Sequence, residues 1–147
     1  MKDVIISVKS TQLTDGETSE LAELVTPGSL QCRNGKLTLS YMESELTGLE
    51  GTKTTFEIEP EVVTLTRTGK VNSQMVFEEG KHYYFLYDTP YGSATMGVRT
   101  SMIRKKFDEH GGSMDINYAV DLENIFVGNN SFHIKVREAA KNQTPAQ

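Results

Sequence analysis

The all-β character of this chain shows first in the stretch Asn34-Gly35-Lys36-Leu37-Thr38-Leu39-Ser40-Tyr41. Asn-Gly is the preferred pair for a two-residue hairpin turn, because both positions of a type I′ turn need a positive φ. The residues that follow alternate apolar and polar, which is the pattern of a strand with one buried face. The stretch therefore predicts a β-hairpin whose second strand directs Leu37, Leu39 and Tyr41 inward.

Comparable turn signals recur about every ten residues, among them Asp15-Gly16, Thr68-Gly69, Glu79-Gly80, Pro90-Tyr91-Gly92 and Gly128-Asn129-Asn130. Even spacing of turn signals with no helical period is typical of antiparallel barrels and sandwiches. We predict about ten strands, near residues 2–13, 19–32, 36–47, 52–59, 62–68, 71–78, 81–89, 92–106, 113–127 and 131–137. The predicted fold class is all-β: a single antiparallel β-barrel of about 8–10 strands, since closure removes exposed sheet edges.

The predicted domain organisation is one barrel domain over residues 1–137, followed by a disordered C-terminal tail over residues 138–147. The tail is small, polar and without periodicity, which is typical of a frayed terminus. Within the barrel, alternation predicts an inward apolar face that includes Leu39, Phe56, Leu65, Phe85, Val98, Met102 and Tyr118. A shift of one residue would invert each strand, so the pattern fixes the strand register.

Charge and cysteine content limit the functional classes. The net charge of −5 argues against a nucleic acid or an acidic membrane held mainly by charge. Cys32 is the single cysteine, which excludes an internal disulfide framework and suits a reducing compartment; we expect it to be a small, partly buried side chain at a strand end. The first residues alternate like a strand and lack the apolar core of a signal peptide, and no apolar run is long enough to span a bilayer. We therefore expect a cytoplasmic protein with no membrane and no nucleic-acid partner.

Glu43 and Glu45 share the parity of Leu39 and Tyr41, so a regular strand directs both carboxylates inward near the mouth of the barrel. Three interpretations stay open for this pair. The strand bends near Ser44 and both side chains face water, or they form a structural ion pair, or they bind a ligand or act in acid–base chemistry.

Arg67 is the natural partner, because it shares the inward parity of the residues at 63 and 65. A buried guanidinium needs a carboxylate or several carbonyl groups. We predict that Arg67 lies on the inward face with an acidic partner, Glu43 or Glu45. In an open cavity the same guanidinium would instead bind a ligand carboxylate through two hydrogen bonds; exposure at the strand end is the third alternative.

Aromatic side chains supply either a packed core or the wall of a pocket. The inward set includes Tyr41, Tyr83, Tyr87 and Tyr118 with Phe77 and Phe85. Each tyrosine combines broad apolar area with a polar tip, which suits a ligand pocket. The candidate ligand-binding residues are accordingly Tyr41, Glu43, Glu45, Arg67 and Tyr87.

Known catalytic and metal-binding motifs are missing from the sequence. His82, His110 and His133 have no ligand-like spacing, and no nucleophile elbow or Ser/His/Asp order stands in a supporting context. The segment Gly48 to Thr52 lacks the lysine of a phosphate loop. We therefore expect no metal, no cofactor and no catalytic residues, and hence a protein that is not an enzyme.

The chain resembles the YwiB-like family of small bacterial proteins. The resemblance rests on Tyr41-Met42-Glu43-Ser44-Glu45-Leu46-Thr47-Gly48-Leu49-Glu50-Gly51-Thr52-Lys53-Thr54, on Thr66-Arg67-Thr68-Gly69 with Met75-Val76-Phe77, and on Thr89-Pro90-Tyr91-Gly92. It implies a calycin-like barrel, related in shape to lipocalins, in a cytoplasmic bacterial protein, and it brings no established catalytic residues. Kinship of fold does not establish a shared ligand.

Two functions remain open at this point. The first is a non-enzymatic protein that binds a small apolar or amphipathic molecule in the barrel. The alternative is a barrel packed solid with its own side chains, which acts as a protein-interaction or structural module. Inward polar groups among aromatic residues favour the first function, and the sequence does not indicate an oligomeric state.

Overall fold

The computed structural model describes residues 1–14, 16–44 and 49–139. Over these residues the chain forms ten β-strands and no helix. The strands are β1 (Lys2–Thr14), β2 (Glu17–Arg33), β3 (Lys36–Met42), β4 (Thr52–Ile58), β5 (Val63–Gly69), β6 (Ser73–Phe77), β7 (His82–Thr89), β8 (Gly92–Asp108), β9 (Gly111–Leu122) and β10 (Ile125–Glu138). The predicted all-β fold class is confirmed.

All ten strands belong to one antiparallel sheet in the order β6-β5-β4-β3-β2-β1-β10-β9-β8-β7. Successive strands pair by hairpins except β6 and β7, and β1 pairs with β10, which joins the two halves of the chain. The outer strands β6 and β7 share no ladder; Asn72, just before β6, forms an isolated bridge with Asp88 of β7, and Glu79, just after β6, forms one with Thr100 of β8. The sheet is thus nearly closed into a barrel, and we call the line between β6 and β7 the seam.

The core follows the predicted alternation on most strands. Leu39, Phe56, Leu65, Val98 and Tyr118 are all buried, as predicted. Burial of this apolar surface is the main term that stabilises the fold. Phe85 departs from the prediction, because it is only half-buried and packs against the edge of the core.

One predicted turn is wrong. Gly128-Asn129-Asn130 lies inside β10, and the chain reverses instead at Glu123 and Asn124, which have φ of 50° and 68°. Two successive residues of positive φ form the tight hairpin turn, a role that Asn takes readily. Gly128 marks a β-bulge in β10, where the register shifts between Phe126 and Gly128.

The inward orientation predicted for Met102 is also wrong. The register between β8 and β9 shifts between Thr100 and Met102, so Ser101 is the extra residue of a bulge. A bulge inverts the parity of the residues beyond it. Ile103 and Phe107 therefore pack against the core in place of Met102.

Gly28 lies where β2 closely approaches both β1 and β3. A Cβ at this position would lie 2.3 Å from Ile6 Cδ1 and 2.5 Å from the carbonyl oxygen of Ser40. Both distances are far below van der Waals contact, so only glycine fits between β1 and β3.

Two further expectations concern the C-terminal tail and the burial of Cys32. β10 continues through Glu138, one residue into the segment expected to form the tail, and residues 140–147 lie outside the described part of the chain. Cys32, at the end of β2, is exposed rather than partly buried. The described residues contain no helix long and apolar enough to cross a membrane.

Candidate ligand-binding cavity

A cavity of about 480 Å³ lies inside the barrel. Its wall is mainly apolar, with contributions from Val8, Leu24, Met75, Phe85, Met96, Val120, Val127 and Phe132. Strands from both halves of the chain contribute, and Met75 and Phe85 come from the two sides of the seam. The volume falls within the range of roughly 300–1,000 Å³ that is typical of small-molecule sites.

A row of polar side chains crosses three adjacent strands on the cavity side. Tyr41 of β3 pairs with Thr54 of β4, and Thr54 pairs with Arg67 of β5. Directly opposed residues point to the same face of a sheet, so all three lie on the inward side. Tyr41 and Arg67 line the cavity.

Glu43 joins this row from just beyond β3. Its backbone N–H donates to the carbonyl oxygen of Thr52 at 2.9 Å, which extends the β3–β4 ladder by one step. Its side chain is buried, and Oε2 accepts a hydrogen bond from Thr54 Oγ1 at 2.5 Å. A buried carboxylate needs such donors, because an unpaired one carries a large desolvation penalty. The inward interpretation of Glu43 agrees with this placement.

The Tyr41 hydroxyl lies between opposite charges. Burial raises its pKa well above the usual value, the Glu43 carboxylate raises it further, and the Arg67 guanidinium opposes both effects. The Tyr41 hydroxyl also hydrogen-bonds to Glu43, and this bond favours the protonated phenol. Tyr41 is therefore a neutral donor at physiological pH, hydrogen-bonded to Glu43.

The opposite wall carries a second polar group, made of Tyr118 and Asn130. These residues are paired across β9 and β10, and both line the cavity. Burial outweighs a hydrogen bond with Asn130 and the charge of Arg67, which both oppose it, and the pKa of Tyr118 is raised to about 12. The charge of Arg67, which lines the same cavity, acts on both Tyr41 and Tyr118.

Four of the five predicted site residues line this one cavity: Tyr41, Glu43, Arg67 and Tyr87. Glu45 lies outside the described residues, so its part in the site and its pairing with Arg67 stay predictions. Sequence reasoning missed Asn130, because it assigned this residue to a turn. The alternation of Asn130 with Phe132 and Ile134 was the signal that places it on the inward face.

The histidines form separate hydrogen-bonded pairs with carboxylates: His82 with Asp121, His110 with Glu138 and His133 with Asp115. Among the described residues, no group of three or more His, Cys, Asp or Glu side chains is placed to hold a metal ion.

One outer-face network joins a serine, a histidine and an aspartate. His133 Nδ1 lies 2.6 Å from Asp115 Oδ1, and His133 Nε2 lies 3.3 Å from Ser131 Oγ. The Ser131 hydroxyl is shared with Thr11 on β1. Ser131 lies within a ladder with both β1 and β9, so this network ties three strands together.

The fold of this chain is similar to that of a protein of known crystal structure. The crystal structure of the ywiB protein from Bacillus subtilis superposes with a TM-score of 0.83 at 23% sequence identity, and the match covers 95% of this chain and 93% of that one. A search of curated proteins found no match. Residues 6–134 match the model of DUF1934, a domain of unknown function. Since that match spans most of the barrel, the chain belongs to the DUF1934 family, in agreement with its resemblance to YwiB-like proteins.

Proposed function

We propose that this protein binds a small amphipathic molecule inside the barrel. The observation that carries the proposal is the cavity of about 480 Å³, whose apolar wall is interrupted by a few converging polar groups. That combination is the usual composition of a small-molecule site, in which apolar area supplies affinity and polar groups fix orientation. Met75 and Met96 add flexible, polarizable walls that adapt to the shape of a ligand.

A protein-interaction role is the second candidate, and one surface feature favours it. The end of the β9–β10 hairpin exposes consecutive apolar side chains, with Ile125 72% and Phe126 64% exposed. Contiguous exposed apolar residues are typical of contact sites. Under this alternative, Phe126→Ser abolishes an association that analytical ultracentrifugation or co-purification detects. Because the barrel encloses a cavity, this alternative depends on the outer surface and not on a packed interior.

The proposed setting is the cytoplasm. Cys32 is a free and exposed thiol, and such a thiol persists most readily in a reducing compartment. The proposal includes no catalytic step, no cofactor and no nucleic-acid partner.

The direct test is titration of the purified protein with N-phenylnaphthylamine, an uncharged probe whose fluorescence rises in apolar surroundings. Met96→Trp projects additional volume into the cavity, whereas Thr95→Trp places the same side chain on the outer face of the same strand. Met96 lines the cavity and Thr95 is exposed, so the pair of variants is matched. We expect Met96→Trp to weaken probe binding by about tenfold or more and Thr95→Trp to leave it unchanged.

Two results would reject the proposal. One is the absence of probe binding to the folded wild-type protein. The other is an equal affinity of the Met96→Trp and Thr95→Trp variants, which would assign the binding to the outer surface. Circular dichroism of both variants checks that each retains the β-sheet fold.

A further inference from the structure

The serine, histidine and aspartate of the outer-face network form a compact group away from the cavity. Ser131 and His133 lie on β10, and Asp115 is the ladder partner of His133 on β9. Ser131 and His133 alternate along β10 with Phe132 and Ile134, which are buried in the core, so the two polar side chains point outward. The linear spacing of these residues contains no catalytic motif, because only strand pairing brings Asp115 beside His133.

The hydrogen bonds of this group have one consistent direction. His133 Nδ1 lies 2.6 Å from Asp115 Oδ1, and a carboxylate only accepts hydrogen bonds, so Nδ1 carries the proton. In the neutral ring Nε2 is then an acceptor, and it lies 3.3 Å from Ser131 Oγ. The Ser131 hydroxyl therefore donates to His133, and the Thr11 hydroxyl donates to Ser131 Oγ. In this orientation a histidine can take the proton of a serine.

A groove of about 340 Å³ runs along the same outer face, and Ser131 is part of its wall. Asn117 and Asn129 line it as well. Asn117 is the ladder partner of Ser131 on β9, and Asn129 precedes Ser131 by two residues on β10, so all three side chains share one face. Side-chain amides are among the donors that stabilise the oxyanion of an acyl-transfer intermediate.

The groove suits a small substrate. Its volume is at the lower end of the range of roughly 300–1,000 Å³ for small-molecule sites. Most of its lining side chains are polar, and Leu13 is the one aliphatic side chain that the described residues contribute to it. A short acyl group fits this composition better than a long alkyl chain does.

We propose that Ser131 is the nucleophile of a second site, which hydrolyses esters of small acyl groups. Ser131 Oγ attacks the carbonyl carbon while its proton passes to His133 Nε2, and the Asp115 carboxylate stabilises the resulting imidazolium. The tetrahedral intermediate then loses the leaving oxygen, which takes the proton from His133, and an acyl-serine remains. Water adds to the acyl group by the same route, which releases the carboxylic acid and restores Ser131.

The first test is hydrolysis of p-nitrophenyl acetate by the purified protein, followed through the absorbance of p-nitrophenolate. We expect Ser131→Ala and His133→Gln each to lower kcat/KM by about tenfold or more. Ser29→Ala is the matched control, since Ser29 shares a hydrogen bond with the Ser40 hydroxyl and should be replaceable without loss. His110→Gln controls for hydrolysis by an exposed imidazole and should also keep the wild-type rate.

The second test detects the nucleophile directly. Phenylmethylsulfonyl fluoride forms a stable sulfonyl ester with an activated serine and releases fluoride. Mass spectrometry of the labelled protein should place the sulfonyl group on Ser131, and His133→Gln should abolish the labelling. If Ser131→Ala fails to fold by circular dichroism, labelling of the wild-type protein still decides the question, because an unmodified Ser131 would overturn the proposal.

Three further results would reject this site. The first is a wild-type rate no higher than that of buffer, and the second is an unchanged rate in Ser131→Ala. The third is a loss in His133→Gln alone, which would mean that the imidazole acts without the serine. The site does not depend on ligand binding in the barrel: Ser131→Ala should bind N-phenylnaphthylamine like the wild type, so the two proposals fail separately.

Discussion

At the scale of single residues, Phe77 and Phe85 show how one side-chain type has two roles in one barrel. Phe77 is fully buried, and its ring contacts Tyr118 edge-to-face with centroids 5.1 Å apart and Phe132 with centroids 6.3 Å apart. Phe85 is half-buried and lines the cavity. One ring therefore fills the core, and the other forms part of a wall.

This contrast predicts different costs for the same truncation. Phe77→Ala should reduce the free energy of unfolding by about 3–5 kcal/mol, because it creates a void among packed rings. Phe85→Ala should cost about half as much, since one side of that ring already adjoins empty volume. Urea denaturation of both variants measures the difference. Equal losses would mean that the side of Phe85 facing the cavity is filled.

Part of the candidate site can be predicted from single residues of the sequence. Parity along a strand is a local property, so Tyr41, Glu43, Arg67 and Tyr87 were assigned inward from sequence alone, and the structure places each of them on the cavity wall. Parity does not tell which partner a side chain meets across the lumen. The proximity of Arg67 to Tyr118 depends on closure of the whole sheet.

At the scale of elements, the errors lie at the bulges and at one turn. Ser101 and Val127 each occupy the extra position of a bulge, and the residues next to each one change face or leave the ladder. A bulge carries no strong sequence signal unless a glycine marks it, and Gly128 was interpreted as a turn instead. Turns built on Asn-Gly were predictable, whereas the Glu123–Asn124 turn has no glycine to reveal it.

The stability of the paired ends of β1 and β10 should depend on pH. Hydrogen bonds from Lys2 and then His110 lower the pKa of Glu138 to about 2, with the two charges adding to the effect. A carboxylate whose pKa is lower in the folded state than in the unfolded state stabilises the fold. This contribution is complete at a pH above the unfolded pKa, near pH 4–5, and is lost as the pH falls toward 2. The group is exposed, so the effect stays local to the strand ends.

We therefore expect the protection factor of the Ala139 amide, which donates to the Asp3 carbonyl at 3.0 Å, to fall as the pH decreases through this window. Glu138→Gln should show lower protection at neutral pH and little further loss in acid. Glu20→Gln, which removes an exposed partner of Lys9, is the matched control and should keep the wild-type profile. Hydrogen exchange followed by NMR measures all three proteins. A wild-type pH profile in the Glu138 variant would show that this carboxylate does not hold the strand end.

At the scale of the whole molecule, the seam is the one line along which the described strands lack a continuous ladder. Asn72, just before β6, exchanges a pair of hydrogen bonds with Asp88 of β7, both of 2.9 Å, and beyond the other end of β6 Glu79 bridges to Thr100 of β8. Met75 and Phe85 line the cavity from its two sides. The closure of the barrel and the wall of the proposed binding site therefore depend on the same strands.

Because β7 forms a ladder on one side and borders the seam on the other, we expect fast and slow amide hydrogen exchange to alternate along β7. The Asp88 N–H donates across the seam to Asn72, so the amides of Tyr84 and Leu86, two and four residues earlier, also face β6. The amides of Phe85 and Tyr87 face β8, with which β7 pairs continuously. Amides facing the seam should exchange much faster than those in the β7–β8 ladder, because most of them lack a ladder partner.

Amide exchange by NMR on the native protein resolves this pattern residue by residue. A ligand that binds in the cavity contacts Phe85 and Met75 together, so it should slow the exchange of Tyr84 and Leu86 and leave Phe85 and Tyr87 nearly unchanged. Uniform protection along β7 in the free protein would mean that the seam is bridged along its length, and the barrel would then be closed without a weak side.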